Sequence, residues 1–316
     1  MKSAGTLPNW KKPTALEGIF HALLFAAAYL LAASYSAQKS GISLPTADYS
    51  NLGTLAALFL IAVAEEVIFR FMLLRKSALS SLILDALLTP LFFTTDFTAF
   101  LFLCVLYFLR AVASSILTLR HGFRYSILMR AAILGLAWVS LISPALPSAL
   151  FILLLAFAIQ EMNGVRLGQA LGKMGFSTGG LGGQFLDGLK LFAQLFLLLI
   201  IEAVALSYFG LADSEKVKAV LARQSLLTLA VAVFLSPIAE ELLFRATLVP
   251  RVGVALSSII FAALHIGFAS AIEVVGALTA GILFGLYFKR NGKIIPAMVA
   301  HGLVNAYAVA VTFLAR

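Results

Sequence analysis

With 316 residues, 62% of them hydrophobic and only 12% charged, and a mean hydropathy of +1.03, the chain is too apolar for a soluble domain, in which about 25% of residues carry charge. Its net charge of +9 comes from 23 lysines and arginines against 14 acids, scattered between apolar runs, which fits membrane topology and argues against nucleic acid as a partner. Cys104 is the one cysteine, so an intrachain disulfide and a cysteine-ligated metal cluster are both excluded.

In chain order, Lys2, Lys11 and Lys12 precede an apolar run at 16–37. That run exceeds a signal core of ~7–15 residues and reads as a retained helix. Further spans are predicted at 52–74, 78–95, 97–119, 125–142, 145–162, 189–209, 224–249, 253–268, 271–288 and 294–314. The expected fold is an all-α polytopic transmembrane bundle of about 11 spans. A glycine-rich stretch at 166–188, containing Thr178-Gly179-Gly180-Leu181-Gly182-Gly183, reads as a linker between halves 1–165 and 189–316. With the N-terminus in the cytoplasm, fourteen loop lysines and arginines fall on the inner side and five on the outer, a positive-inside bias. Arg70, Arg110, Arg130 and Arg245 are left within spans.

Two segments repeat. Ala64-Glu65-Glu66-Val67-Ile68-Phe69-Arg70 matches Ala239-Glu240-Glu241-Leu242-Leu243-Phe244-Arg245, and each is followed by Ala-Leu-Ser-Ser, at 78–81 and 255–258. Leu119-Arg120-His121-Gly122 parallels Lys289-Arg290-Asn291-Gly292. Three matches in one order indicate duplication. Both acidic segments run from outside to inside in the expected topology, so the repeats are parallel, unlike the inverted repeats of many transporters. Aligned through these pairs, His265 falls opposite Leu88, while His301 and Asn305 fall opposite Ala131 and Gly135. The first half therefore keeps the carboxylates and the arginine but not the histidines, and is read as a scaffold.

Charge inside a span is costly and marks a functional site by default. Glu241 and Arg245 are spaced i, i+4 and lie on one helix face within ion-pair reach. Glu240 is rotated by about 100° from Glu241 and must face another partner. A glutamate in apolar surroundings suits a general base near neutral pH. His265 follows on the next span, and His301 with Asn305 repeats the i, i+4 spacing on the last. Carboxylate and imidazole together either activate a water directly or ligate a divalent metal, such as zinc, that does so; for the metal scheme the ligands are Glu240, His265 and His301. Asn305 is a neutral donor suited to an oxyanion.

Glu240-Glu241-x-x-x-Arg245, Phe261-x-x-x-His265 and His301-x-x-x-Asn305, in that order on successive spans, resemble the three motifs of the CAAX protease and bacteriocin-processing family, which includes the type II prenyl-protein endopeptidases. The resemblance covers about 226–314 and implies an intramembrane endopeptidase acting on a membrane-associated peptide or protein, with or without a lipid modification. It implies that Glu240 and His265 activate water, that His301 and Asn305 stabilise the oxyanion, and that Glu241 and Arg245 orient Glu240. A prokaryotic plasma membrane is the expected location. At ~1.5 Å per residue Glu240 lies about 14 Å from Val249, so the site is expected to open to the cytoplasm. The alternative is a non-catalytic membrane protein, either an immunity-type factor or a proton-coupled transporter using the same carboxylates.

Overall fold

The computed structural model describes residues 14–40, 51–74, 77–91 and 97–314. Lys2, Lys11, Lys12, Arg75, Lys76 and Arg316, used in the charge count, lie outside these residues, as does the end of the span expected at 78–95. The described residues are helical with no strand, and the chain divides into two units between Leu141 and Ile142.

The first unit holds α1 (Ala15–Ser40), α2 (Leu52–Glu66) continuing into a π-helical stretch (Val67–Leu73), α3 (Ala78–Leu91), α4 (Phe97–His121) and α5 (Phe123–Ser140). The pairs α1–α5, α3–α4, α4–α5 and α2–α5 pack together, and Ala22, Ala26, Leu117, Tyr125 and Met129 form a buried apolar cluster. Two buried carboxylates (Glu66 and Asp85), the partly buried Glu65 and three buried arginines sit among them. Arg70 bonds Asp85 on α3, Arg110 Nη2 lies 2.8 Å from Asp85 and 3.4 Å from Glu65, and Arg130 bonds Glu65. Ser114 donates to Glu66 at 3.0 Å. The formal charges of this set cancel, which is the condition under which six ions can stay in a low-dielectric interior.

The second unit holds α6 (Ala145–Met162), α7 (Leu167–Lys173), α8 (Leu181–Tyr208) and the short α9 (Ser214–Leu221). It continues through α10 (Leu226–Ala230), a π stretch (Val231–Leu235), α11 (Ser236–Glu240), a second π stretch (Glu241–Leu248), α12 (Val249–Leu264), a 3-10 turn (His265–Phe268), α13 (Ala271–Asn291) and α14 (Ile295–Leu314). The division does not follow the glycine-rich stretch. Helix α6, expected in the first half, packs on α11 and both π stretches of the second unit. The expected linker contributes α7, whose Ala170 and the following Met174 are buried in the same core as Leu242, Phe244 and Phe261. Gly175, at φ 78°, brings this segment against the 292–294 turn, where Ile294 N donates to its carbonyl.

Seven helices among the described residues are long and apolar enough to cross a membrane: Ala15–Tyr35, Thr98–His121, Ala145–Met162, Leu181–Tyr208, Leu226–Phe268, Ala271–Asn291 and Ile295–Leu314. The difference from eleven has local causes. The spans expected at 224–249 and 253–268 form one 43-residue run, broken at Gly253 (φ 81°). The chain folds back there, since the Ser257 hydroxyl donates to the Phe244 carbonyl at 2.6 Å, whereas 13 residues of straight helix would hold them ~20 Å apart. The span expected at 52–74 changes from α to π at Val67, and 78–90 is shorter than a membrane crossing.

At the far end of the second unit Asp213 fastens the α8–α9 connection to the start of α13. Its carboxylate accepts from the Ser270 hydroxyl (2.8 Å), Ala271 N (3.0 Å) and Ile272 N (3.3 Å), and Lys216 Nζ donates to the Ala269 carbonyl (2.9 Å). The Ser270 hydroxyl above all, then the Ala271 N–H, the Lys216 ammonium and the Ile272 N–H, hold the Asp213 carboxyl well below the usual aspartate range.

Two outcomes follow from these contacts. Arg70→Ala leaves Asp85 with Arg110 alone and Glu66 with Arg130 at 3.9 Å, so the buried set carries one uncompensated negative charge, and the melting temperature of the purified protein should fall by an amount equivalent to about 3–5 kcal/mol. For Asp213 the folded-state pKa is depressed, so its contribution is complete above the ordinary aspartate value of about 3.9 and decays as the pH falls below it. Asp213→Asn should therefore lower thermal stability at pH 7 and flatten the loss of stability on acidification below about pH 4, both read from a melting series.

Candidate active site

The backbone that carries the acidic motif is shaped by a proline. Ser236 N reaches past its usual partner to the Val231 carbonyl, five residues back, which widens the helix into a π turn. The Ala232 carbonyl then has lost its α-helical donor, and its π-helical donor would be residue 237, a proline with no N–H. Asn305 supplies the missing hydrogen, with Nδ2 at 2.8 Å from the Ala232 oxygen. The approach of α14 depends on Gly302, where a Cβ would stand 3.0 Å from the Val233 carbonyl. Because the partner is a carbonyl, the donor must be the amide nitrogen of Asn305.

Glu241 and Arg245 are fully buried, and Arg245 Nε lies 3.1 Å from Glu241 Oε2, as the i, i+4 spacing predicts. The two terminal guanidinium nitrogens of Arg245 make no hydrogen bond among the described residues. Instead the guanidinium carbon stands over aromatic surface, 4.1 Å from the Phe261 centroid and 5.6 Å from that of Phe284. Glu241 Oε1 accepts from His301 Nδ1 at 2.9 Å. A carboxylate there fixes the His301 tautomer with the proton on Nδ1 and turns Nε2 toward Glu240, whose Oε2 is 3.7 Å away. The Glu240 side chain keeps 17% of its surface exposed. Glu240, Glu241, Arg245, His301 and Asn305 are thus brought together, and the imidazole within 4 Å of Glu240 is that of His301.

His265 ends α12. Its Nδ1 donates to the Phe261 carbonyl at 2.9 Å, which leaves Nε2 as the free ring nitrogen. The His265 and His301 rings lie 4.7 and 5.9 Å from the Phe261 ring, and both line one cavity of about 260 Å³ with Asn305, Phe284 and Glu273. Glu273, in the first turn of α13, is a carboxylate that sequence reasoning passed over; it lines the same cavity as both histidines. The signal for it was an acid eight residues beyond His265 in an otherwise apolar span. From His301 the cavity runs toward α9, where Ser214, Val217, Lys218 and Leu221 form its wall. This is the end opposite the Gly253 and Gly292 turns.

Among the described residues no three His, Cys, Asp or Glu side chains converge as a metal-binding group. Glu240, His265 and His301 do not form such a group, although the Nδ1 bonds of His301 to Glu241 and of His265 to the Phe261 carbonyl leave both Nε2 atoms as the remaining ring nitrogens.

The first unit repeats the frame and changes the contents. In both units a π stretch starts at or just after the second glutamate, and the phenylalanine carbonyl three residues on accepts from the backbone five further, Leu74 N→Phe69 O and Val249 N→Phe244 O. Each carbonyl also accepts a serine hydroxyl, from Ser81 and Ser257. By these contacts Asp85 stands where Phe261 meets the arginine, and Thr89, not Leu88, stands opposite His265. Arg130 on α5 bonds Glu65 and lies 3.9 Å from Glu66, the place that His301 fills on α14.

No curated protein and no solved structure matches the chain. A family model described as type II CAAX prenyl endopeptidase Rce1-like matches residues 222–307, which span the acidic motif, both histidines and Asn305. Residues 222–307, with the buried Glu241–Arg245 pair and His301 at their centre, are thus similar to the Rce1-like type II CAAX prenyl endopeptidases.

Proposed function

We propose that the second unit hydrolyses a peptide bond of a membrane-associated substrate with a water activated by Glu240. The observation that carries this reading is Glu240 itself. It is a largely buried carboxylate whose neighbour Glu241 already holds the arginine, and it faces an imidazole rather than a second guanidinium. A water bridging the 3.7 Å between Glu240 Oε2 and His301 Nε2 loses a proton to the carboxylate as its oxygen attacks the substrate carbonyl. For the oxyanion role His301 enters the step already carrying a proton on both nitrogens, with Nδ1–H on Glu241 and the Nε2–H hydrogen bond passing from the water to the developing oxyanion, so the step itself supplies it no proton. Asn305, with one amide hydrogen committed to Ala232, presents the rest of its amide to the cavity as a second donor. His265, its free Nε2 in the same cavity, accepts the water's other hydrogen in a hydrogen bond and holds it in place, and the glutamic acid returns the proton it took to the leaving amine. Glu241 and Arg245 act through His301 and the helix as positioning residues.

Purified protein incubated with peptides ending in a free carboxylate, prenylated and unmodified, should release C-terminal fragments. Glu240→Ala and His265→Ala should lower the rate by roughly 10²–10⁴-fold, while Glu65→Gln in the first unit should not. Equal loss in Glu65→Gln overturns the scaffold reading of that unit, and no cleavage of any peptide favours the non-catalytic one. Since the donor set does not converge, activity should survive dialysis against a chelator, measured alongside bound metal.

Orientation is set by charge in this reading. Within the second unit Arg166, Lys173, Lys190, Arg251, Lys289, Arg290 and Lys293 flank one end, against Lys216, Lys218 and Arg223 at the α9 end. In intact cells carrying Cys104→Ser, an impermeant thiol reagent should label Glu215→Cys on α9 and spare Lys289→Cys. The reverse pattern would turn the cavity mouth to the cytoplasm.

A further inference from the structure

The cavity has two unlike ends. Around His301 and Phe284 it is walled by aromatic and apolar side chains, and at α9 it meets Lys218. Of the residues lining it, Lys218 is the one permanent cation. Its ammonium is held by Glu215 at 2.7 Å, but Glu215 is 82% exposed and three residues away on the same helix, a pairing that contributes little in water. The lysine is therefore free to exchange this partner for a better desolvated anion. The other charged lining residue, Glu273, follows directly on the Ser270–Ile272 turn that Asp213 fastens to α9 and is itself an acid, so Lys218 is the one lining group that offers a substrate carboxylate a positive partner.

The dimensions agree. On α14 the lining runs from His301 to Thr312, about 16 Å along the axis at ~1.5 Å per residue. An extended tail of three or four residues covers roughly 10–14 Å, and a lysine side chain closes the remainder. Val217 and Leu221, on the same wall as Lys218, offer apolar surface to the intervening side chains.

We propose that Lys218 binds the C-terminal carboxylate of the substrate and so measures the distance from the chain end to the bond that is cut. The proposal rests on the proteolytic reading above and adds a specificity-determining residue to it. The carboxylate takes up the ammonium from Glu215, and the peptide is seated with its scissile carbonyl between Glu240 and His301.

The test is a pair of peptides of one sequence, one ending in a free carboxylate and the other in a carboxamide, cleaved by the full-length protein in detergent or vesicles. Wild type should prefer the acid by roughly tenfold or more in kcat/KM, carried by KM, the effect of one charge-assisted hydrogen bond. Lys218→Ala should bring the ratio close to one, Lys218→Glu should invert it, and Lys218→Arg should restore a preference for the acid. Cleavage by wild type without discrimination, or Lys218→Ala that keeps the full preference, overturns the role of Lys218 and leaves the protease reading standing. Failure of wild type to cleave either peptide overturns both.

Discussion

Everything in the second unit depends on how a fully buried glutamate–arginine pair is kept neutral and in place. Glu241 and Arg245 lie within one turn of one helix, so their attraction needs no long-range chain closure to form. Burial removes the water that would satisfy the remaining guanidinium hydrogens, and the aromatic faces of Phe261 and Phe284 take its place. The second oxygen of Glu241 then fixes the tautomer of His301. A structural ion pair thereby dictates which nitrogen of a histidine on another helix meets Glu240.

The two halves show what one duplicated frame becomes under different charge balance. In the first unit Glu65, Glu66 and Asp85 meet Arg70, Arg110 and Arg130, three charges of each sign. Guanidinium does not give up its proton at any accessible pH, so such a set is a lock. In the second unit the positions of Asp85 and Arg130 are taken by Phe261 and His301. One carboxylate, Glu240, is left without a permanent counter-ion and facing a group that does exchange protons. The lock is left open there by one charge.

Much of this was legible in the chain. The i, i+4 spacings gave the ion pair and placed His301 and Asn305 on one face, and the repeated Glu-Glu-x-x-x-Arg pointed to duplication. Other features required contacts between distant residues. Aligning the halves through Ala-Leu-Ser-Ser slips by a residue, because Phe69 and Ser81 are 12 apart while Phe244 and Ser257 are 13 apart. That slip hid Thr89 as the counterpart of His265, and the separate pairing of Gly122 with Gly292 set Ala131, one residue from Arg130, opposite His301. The glycine-rich stretch looked like a linker because composition does not reveal that Ala170 and Met174 are buried in the core. The pairing of α9 with the cavity was invisible because an eight-residue helix with three charges reads as an ordinary solvated loop.

Pro237 joins the fold to the chemistry. A proline inside a helix leaves an orphan carbonyl, and in lipid there is no water to take it up. The π turn before it moves that orphan to Ala232, and Asn305 answers it from α14. The same helix carries His301 one turn earlier, so satisfying the backbone and presenting the imidazole to Glu240 are one docking event. Sequence spacing suggested Asn305 as a donor to the substrate. Its amide first holds together the two helices that make the site, and only what remains of its donor capacity faces the cavity.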